Sequence, residues 1–283
     1  MSKVVMGCHL SSAKGYLAMG KTACVIGANT FQFFSRNPRG GNVKALDVAD
    51  LEALIHFTQE RQFGALLVHA PYTLNPCSKD AGLRAFAYKM MMEDLERLEL
   101  FPDVMYNLHP GSHVNQGAEV GIGHIADMLK RVLEVDGKTP ILLETMAGKG
   151  SEIGGNFQEL ARIIEGVEGH ERIGICLDTC HIFDGGYDIV SDFDGVLQEF
   201  EEVIGIERLK AIHLNDSKNS VGSRKDRHEQ IGRGFIGLET FEKILNDPRL
   251  KDLPFYLETP HKEVAGYGAE ISLLRGLRKG AGE

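Results

Sequence analysis

One alternation, repeated eight times, constrains this chain more than anything else in it. Short β-rich apolar runs fall near residues 4–8, 30–34, 65–69, 104–108, 140–144, 173–178, 209–214 and 254–258. Stretches with helical spacing of apolar residues lie between them, at 13–26, 46–62, 83–98, 119–133, 157–165, 192–204, 238–245 and 270–277. Strands that alternate with helices imply a parallel sheet, and at 283 residues the simplest closure is a single-domain (β/α)8 TIM barrel spanning residues 1–283. An open doubly wound sheet is the alternative. It is favoured by a GxGxxG turn after the first strand, and none is present.

That fold tells us where to look for chemistry. Barrel active sites lie at the C-terminal ends of the strands and in the loops that follow. Nearly every expected strand here ends in a metal-ligand residue type: His9, His69, His109, Glu144, Asp178 with His181, His213, and Glu258. The loop after the seventh strand adds Asp226 and His228. Three histidines, His56, His124 and His170, fall in or near helices instead. A single histidine at a strand end is more often structural than a ligand. His9 aside, five imidazoles and four carboxylates converging on one ring are another matter, because without cations they leave charges and donors badly paired. Nitrogen and oxygen donors without thiolate suit zinc, with manganese or iron as alternatives. Nine ligands at three per open catalytic ion supply about three ions, and a shared carboxylate places two of them ~3.5–4 Å apart. Asp226 and His228 share a face if their loop is extended. Cys180, between Asp178 and His181, reads as a packed thiol.

Composition matters at two points. The five cysteines form no CxxC pair, no apolar run approaches ~20 residues, and residues 1–7 carry no secretory pattern. A reducing cytoplasm, no membrane span and no disulfide framework are therefore expected. The formal charge of −9 argues against DNA binding when taken alone. Three divalent ions add about six charges and bring the loaded chain to about −3. Arg36, Arg39, Lys149, Lys218, Arg224, Lys225, Arg227 and Arg233 recur in the loops on the same face, where they form a plausible phosphate-tracking rim.

The strings NLHPGSH at 107–113, LETMAGKG at 143–150, LDTCH at 177–181, HLND at 213–216, DRH at 226–228 with GRG at 232–234, and LET at 257–259 together resemble bacterial endonuclease IV, over almost the whole chain and in order. The resemblance implies a three-zinc apurinic/apyrimidinic endonuclease. It assigns His69, His109 and Glu144 to the first zinc. Glu144 bridges to a second, held also by Asp178, His213 and Glu258, and the third takes His181, Asp226 and His228. Glu144, Asp178 and Glu258 are thus the expected catalytic carboxylates, and Mn2+ is a possible substitute for zinc. The implied reaction cuts duplex DNA 5′ to an abasic site and leaves a 3′-hydroxyl and a 5′-deoxyribose phosphate. His9, Arg36, Arg39, Tyr72, Asn75 and Arg227 are the expected DNA contacts. Two departures from the family pattern stand out. Gly40 and Gly41 stand where a bulky wedge is expected, leaving Arg39 as the inserting side chain, and Thr73 replaces an apolar residue beside Tyr72. A monomer is expected, because a closed barrel has no free edges.

Two other readings use the same residue types. A sugar isomerase or epimerase on a similar barrel needs one ion and no third ligand set. A protein that binds damaged DNA without cutting it needs no water-activating centre.

Overall fold

A computed structural model describes residues 4–279. Eight parallel strands form the barrel, and the helices surround it. In chain order the elements are β1 (Met6–Cys8), α1 (Tyr16–Val25), β2 (Gln32–Phe34), α2 (Val48–Glu60), β3 (Leu66–His69), α3 (Ala81–Leu98), β4 (Val104–Leu108), α4 (Ala118–Leu133), β5 (Ile141–Glu144), α5 (Phe157–Gly166) and β6 (Ile173–Asp178). There follow α6 (Thr179–Gly185), α7 (Phe193–Val203), β7 (Leu209–His213), a short antiparallel pair β8 (Asp216–Ser217) and β9 (His228–Glu229), α8 (Leu238–Asn246), β10 (Phe255–Leu257) and α9 (Val264–Gly276).

The barrel strands pair in the order β1-β10-β7-β6-β5-β4-β3-β2. A parallel bridge between His9 and Gln32, with Leu10 N–H donating to the Gln32 carbonyl at 2.8 Å, joins the two ends and closes the ring. This seam needs glycine at position 7. A Cβ there would lie 1.9 Å from the Thr30 carbonyl oxygen.

Strand alternation explains how the site is placed. The residues pointing outward (Val68, Tyr106, Leu143, Ile212 and Leu257 among them) pack under the helices in the main core. A separate inner layer fills the barrel: Leu67, Met105, Leu142, Cys176, Ala211 and Tyr256. One strand period further along, the same inward face carries His69, Asn107, Glu144, Asp178, His213 and Glu258. The polar layer therefore stands directly on an apolar plug. Tyr256 spans that plug and donates its hydroxyl to the Ala65 carbonyl at 2.7 Å.

Several boundaries differ from the sequence reading. The expected helix 13–26 splits at Gly15, whose φ is +99°, into a single 3-10 turn and α1. Helix α9 begins at Val264 rather than near 270, because Gly266 and Gly268 dilute its apolar periodicity. Helix α6 and the β8–β9 pair have no counterpart among the expected elements. All five cysteines are free, and Cys180 is buried, as a packed thiol should be. Among the described residues, no helix is long and apolar enough to cross a membrane.

Candidate metal centre

The histidine rings form a continuous chain across the top of the barrel. From His228 the ring centroids run 5.4 Å to His181, 6.2 Å to His109, 5.0 Å to His69, and 6.1 Å to His213. Glu144 lies at the centre, fully buried. Its Oε2 is 3.1 Å from His69 Nε2 and 3.4 Å from His109 Nε2; its Oε1 is 3.2 Å from His213 Nδ1 and 3.3 Å from His181 Nδ1. Glu258 Oε2 lies 3.3 Å from His213 Nδ1, and Asp226 Oδ1 lies 3.0 Å from His181 Nε2.

Three groups of donor atoms lie within 4.8 Å of one another: His69, His109 and Glu144; Glu144, Asp178, His213 and Glu258; and Asp178, His181 and His228. The first two groups share Glu144 and the last two share Asp178. Asp226 stands beside the third, with Oδ1 3.9 Å from His228 Nε2. Its approach is not the extended-loop geometry read from the sequence. Asp226 has φ +52°, and its backbone N–H is held at 2.8 Å by Asp184 of α6. His228 begins β9.

The donor set fits divalent cations on two counts. First, several histidines have one ring nitrogen fixed from behind and the other aimed at the cluster. Behind His69 Nδ1 is the Ala70 carbonyl at 2.6 Å. The Thr145 carbonyl lies 2.9 Å from His181 Nδ1, the Gln32 amide oxygen 2.5 Å from His213 Nε2, and the Glu258 carbonyl 3.3 Å from His228 Nδ1. Such outer partners fix ring orientation at metal sites. Second, His228 Nε2 is buried with no hydrogen-bond partner, and it faces Asp178 Oδ2 at 3.6 Å. A buried nitrogen left unpaired is costly unless something binds it.

Without a cation, protons do the balancing. Burial alone would push the imidazoles of His109, His181 and His213 toward the neutral form. The groups around them outweigh it: Glu144 raises His109, Asp178 with Asp226 and Glu144 raises His181 well above the usual imidazole range, and Cys176 with Glu258 and Glu144 does the same for His213. Burial opposes ionisation of the carboxylates too, yet His213 holds Glu258 down to about 2 and His181 holds Asp226 at about 2. His9 behaves differently, since burial lowers it to about 4. Burial raises the thiol of Cys176 to about 11, which leaves it a poor competitor for metal.

Several supporting residues escaped the sequence reading. Asn107 donates to Glu144 Oε2 at 2.6 Å, Asn215 donates to Asp178 Oδ2 at 2.7 Å, and Gln32 donates to Glu258 Oε1 at 2.5 Å. The signal for two of them was available. Asn107 and Asn215 stand two residues from His109 and His213, on the same strand face. Helix α6 had a signal as well. Asp178 is its N-cap, accepting from His181 N–H at 2.8 Å, and Gly186, with φ +116°, closes it.

The expected DNA contacts separate into two kinds. Tyr72 is 59% exposed and leans over the centre, 5.7 Å from the His109 ring and 5.9 Å from His69. Arg39 and Arg227 are exposed, as are Lys149, Lys218, Arg224, Lys225 and Arg233 of the rim. His9 packs 4.4 Å from Phe34, with Nδ1 2.9 Å from Gln32 Nε2, at the edge of the cluster. Asn75 spends its amide on scaffolding: it accepts from Cys77 and Ser112 N–H and donates to the Ser112 carbonyl at 3.2 Å. Arg36 departs furthest from expectation. It is turned inward and buried against Asp94, so its guanidinium does not reach the rim. His113 and His261 also stay out of the cluster; His261 pairs with Glu270 at 2.8 Å instead.

Comparison with known proteins agrees with this geometry. Residues 23–277 match the family described as Xylose isomerase-like TIM barrel. A probable endonuclease 4 of Alkaliphilus oremlandii is 56% identical over 270 residues, covering 95% of this chain and 96% of its own. A probable endonuclease 4 of Methanosphaera stadtmanae is 54% identical over 274 residues, covering 97% and 99%. Among solved structures, endonuclease IV from Thermus thermophilus superposes with a TM-score of 0.85 at 32% identity, covering 96% of this chain and 98% of that one. D-psicose 3-epimerase from Clostridium cellulolyticum H10, with a TM-score of 0.72 at 12% identity, shares the fold alone. With a family match along most of its length and relatives more than half identical from end to end, the chain belongs to the endonuclease IV family of xylose isomerase-like TIM barrels.

Proposed function

We propose that this chain is a zinc-dependent DNA-repair endonuclease that hydrolyses the phosphodiester 5′ to an abasic site in duplex DNA, leaving a 3′-hydroxyl and a 5′-deoxyribose phosphate. One observation carries the reading: three overlapping donor groups crowd the mouth of the barrel, two of them joined through the single buried carboxylate of Glu144. A lone-ion sugar epimerase has no use for the third group.

In this reading His69, His109 and Glu144 hold one ion, and Glu144, Asp178, His213 and Glu258 a second. His181, Asp226 and His228 would hold the third. Three zinc ions bound there, with Mn2+ as a substitute, would supply water activation and Lewis-acid stabilisation of phosphate and leaving-group charge. The protein's part is geometric. Asn107 and Gln32 keep the carboxylates of Glu144 and Glu258 facing inward. The apolar plug beneath, from Leu67 to Tyr256, denies water a route from below. Tyr72 offers an exposed aromatic face beside the centre for the sugar or base flanking the lesion, and its position suits stacking. Arg39 and Arg227 supply charge for phosphates from two sides of the mouth, and His9 lines its edge. A missing base lowers the cost of turning the nucleotide out of the helix, which favours the abasic site over intact duplex.

The test is a zinc-loaded digestion of a duplex carrying one synthetic abasic site, with the product ends resolved on a gel. One cut 5′ to the lesion is expected. It should be abolished by a strong chelator and by Glu144→Ala, and kept by His56→Ala on the exposed face of α2. Near-normal cutting by Glu144→Ala contradicts the assignment.

A further inference from the structure

The inward turn of Arg36 leaves a buried ion pair that the metal centre does not use. The Arg36 side chain is 2% exposed and that of Asp94, on α3, is 0%. Arg36 Nε and Nη2 both donate to Asp94 Oδ1, at 2.9 and 2.5 Å. Nη2 also donates to the Met90 carbonyl at 3.0 Å, and Nη1 to the Gly41 carbonyl at 2.9 Å. The second oxygen of Asp94 accepts from Ser35 Oγ at 2.6 Å and from the Tyr106 hydroxyl at 2.9 Å. Ser35 N–H bonds the His69 carbonyl at 3.0 Å, and Tyr106 lies on β4, three residues before His109. The pair therefore joins α3, two ligand-bearing strands and both ends of the loop at 36–41.

What that loop carries is a tight turn. Gly40 N–H bonds the Asn37 carbonyl at 3.1 Å, and Asn37 Oδ1 accepts from Arg39 N–H at 3.0 Å. Pro38 takes the second position of the turn and exposed Arg39 the third. The Pro38 carbonyl accepts from Tyr72 N–H at 3.1 Å, which fastens the turn to the loop after β3. Gly41 is pressed against α3, and a Cβ there would lie 2.6 Å from the Phe86 ring.

A buried ion pair is weak evidence for stability, because desolvation offsets its attraction. Its value here is placement. We infer that Arg36–Asp94 is a positioning pair that holds the Asn37–Gly40 turn rigid, so that Arg39 and Tyr72 meet the DNA already in register. This rests on the endonuclease reading. Preorganisation of this kind acts on substrate binding and leaves the bond-breaking step alone.

The test uses the full-length, zinc-loaded protein and two substrates: an abasic duplex and bis(p-nitrophenyl) phosphate, which is too small to touch the turn. The double variant Arg36→Met with Asp94→Asn removes the charges together and keeps an acceptor for Ser35 and Tyr106. KM for the abasic duplex should rise about tenfold, the cost of ordering a side chain and its short loop on binding. The duplex kcat, the zinc content and the rate on the small ester should hold within about twofold. Arg36→Lys keeps the charge but not the fork, and should give a smaller rise of about threefold. Unchanged KM in the folded double variant overturns the inference. So does an equal loss on both substrates, which would make the pair a support of the metal centre. If the double variant does not fold, Arg36→Lys decides, and an unchanged KM there overturns it. A wild type that cleaves the small ester but not the abasic duplex sinks the endonuclease reading itself, and this inference with it.

Discussion

Loading the metal-free protein with zinc should expel protons, up to one from each of three imidazoles. The number comes from the geometry. Zinc accepts only the neutral imidazole, and three of the ligand imidazoles, His109, His181 and His213, are held above the ordinary value. Burial works against their charge, but the carboxylates of Glu144, Asp178 and Glu258, with Cys176 beside His213, outweigh it. The opposing carboxylates release nothing, since Glu144, Glu258 and Asp226 are held low and already ionised. The sign follows. Below the raised imidazole values each drop of one pH unit weakens loading by about 1.4 kcal/mol for every proton displaced. Affinity should therefore climb with pH until the imidazoles have titrated, then level off. The assay is calorimetric titration of zinc into metal-free protein, at one pH, in buffers of different ionisation enthalpy. The slope of observed heat against ionisation enthalpy counts protons. A slope near zero would mean that the histidines are neutral before metal arrives, and would refute the pairing of charges described above.

Two further outcomes are expected. Gly7→Ala should cost about 3 kcal/mol or more, because the added methyl meets the Thr30 carbonyl at the seam that closes the barrel; urea unfolding of wild type and variant side by side checks it, and a loss under about 1 kcal/mol speaks against a tight seam. Affinity for abasic duplex should fall with salt. If four of the exposed basic rim residues contact phosphate, log K falls by about 3.6 per decade of salt, whereas a flat titration means that the rim does not track the backbone.

The barrel and the clustering of most candidate metal-holding side chains were legible in the sequence because both follow from strand alternation. The bounds of β4 and β6 match expectation, and His69, Glu144, Asp178 and His213 each close a strand whose inward face is set by the apolar residue two positions earlier. What stayed hidden depends on contacts far apart in the chain. Arg36 reads as a rim cation until its partner Asp94, 58 residues away, is seen to take it inward. Asp226 and His228 look like an extended chelating pair. Their approach is instead set by Asp184, which holds the Asp226 backbone in a left-handed turn. Gln32 carries no motif of its own and matters only because closing the barrel brings it against His213 and Glu258.

In the proposed reading, nine side chains at the mouth of one barrel hold three ions. Crystals of the zinc-loaded protein, with diffraction recorded on either side of the zinc absorption edge, test it directly. Three anomalous peaks are expected: one against His69, His109 and Glu144; one against Glu144, Asp178, His213 and Glu258, ~3.5–4 Å from the first; and one against His181, Asp226 and His228. A single peak, or peaks away from these residues, would contradict it.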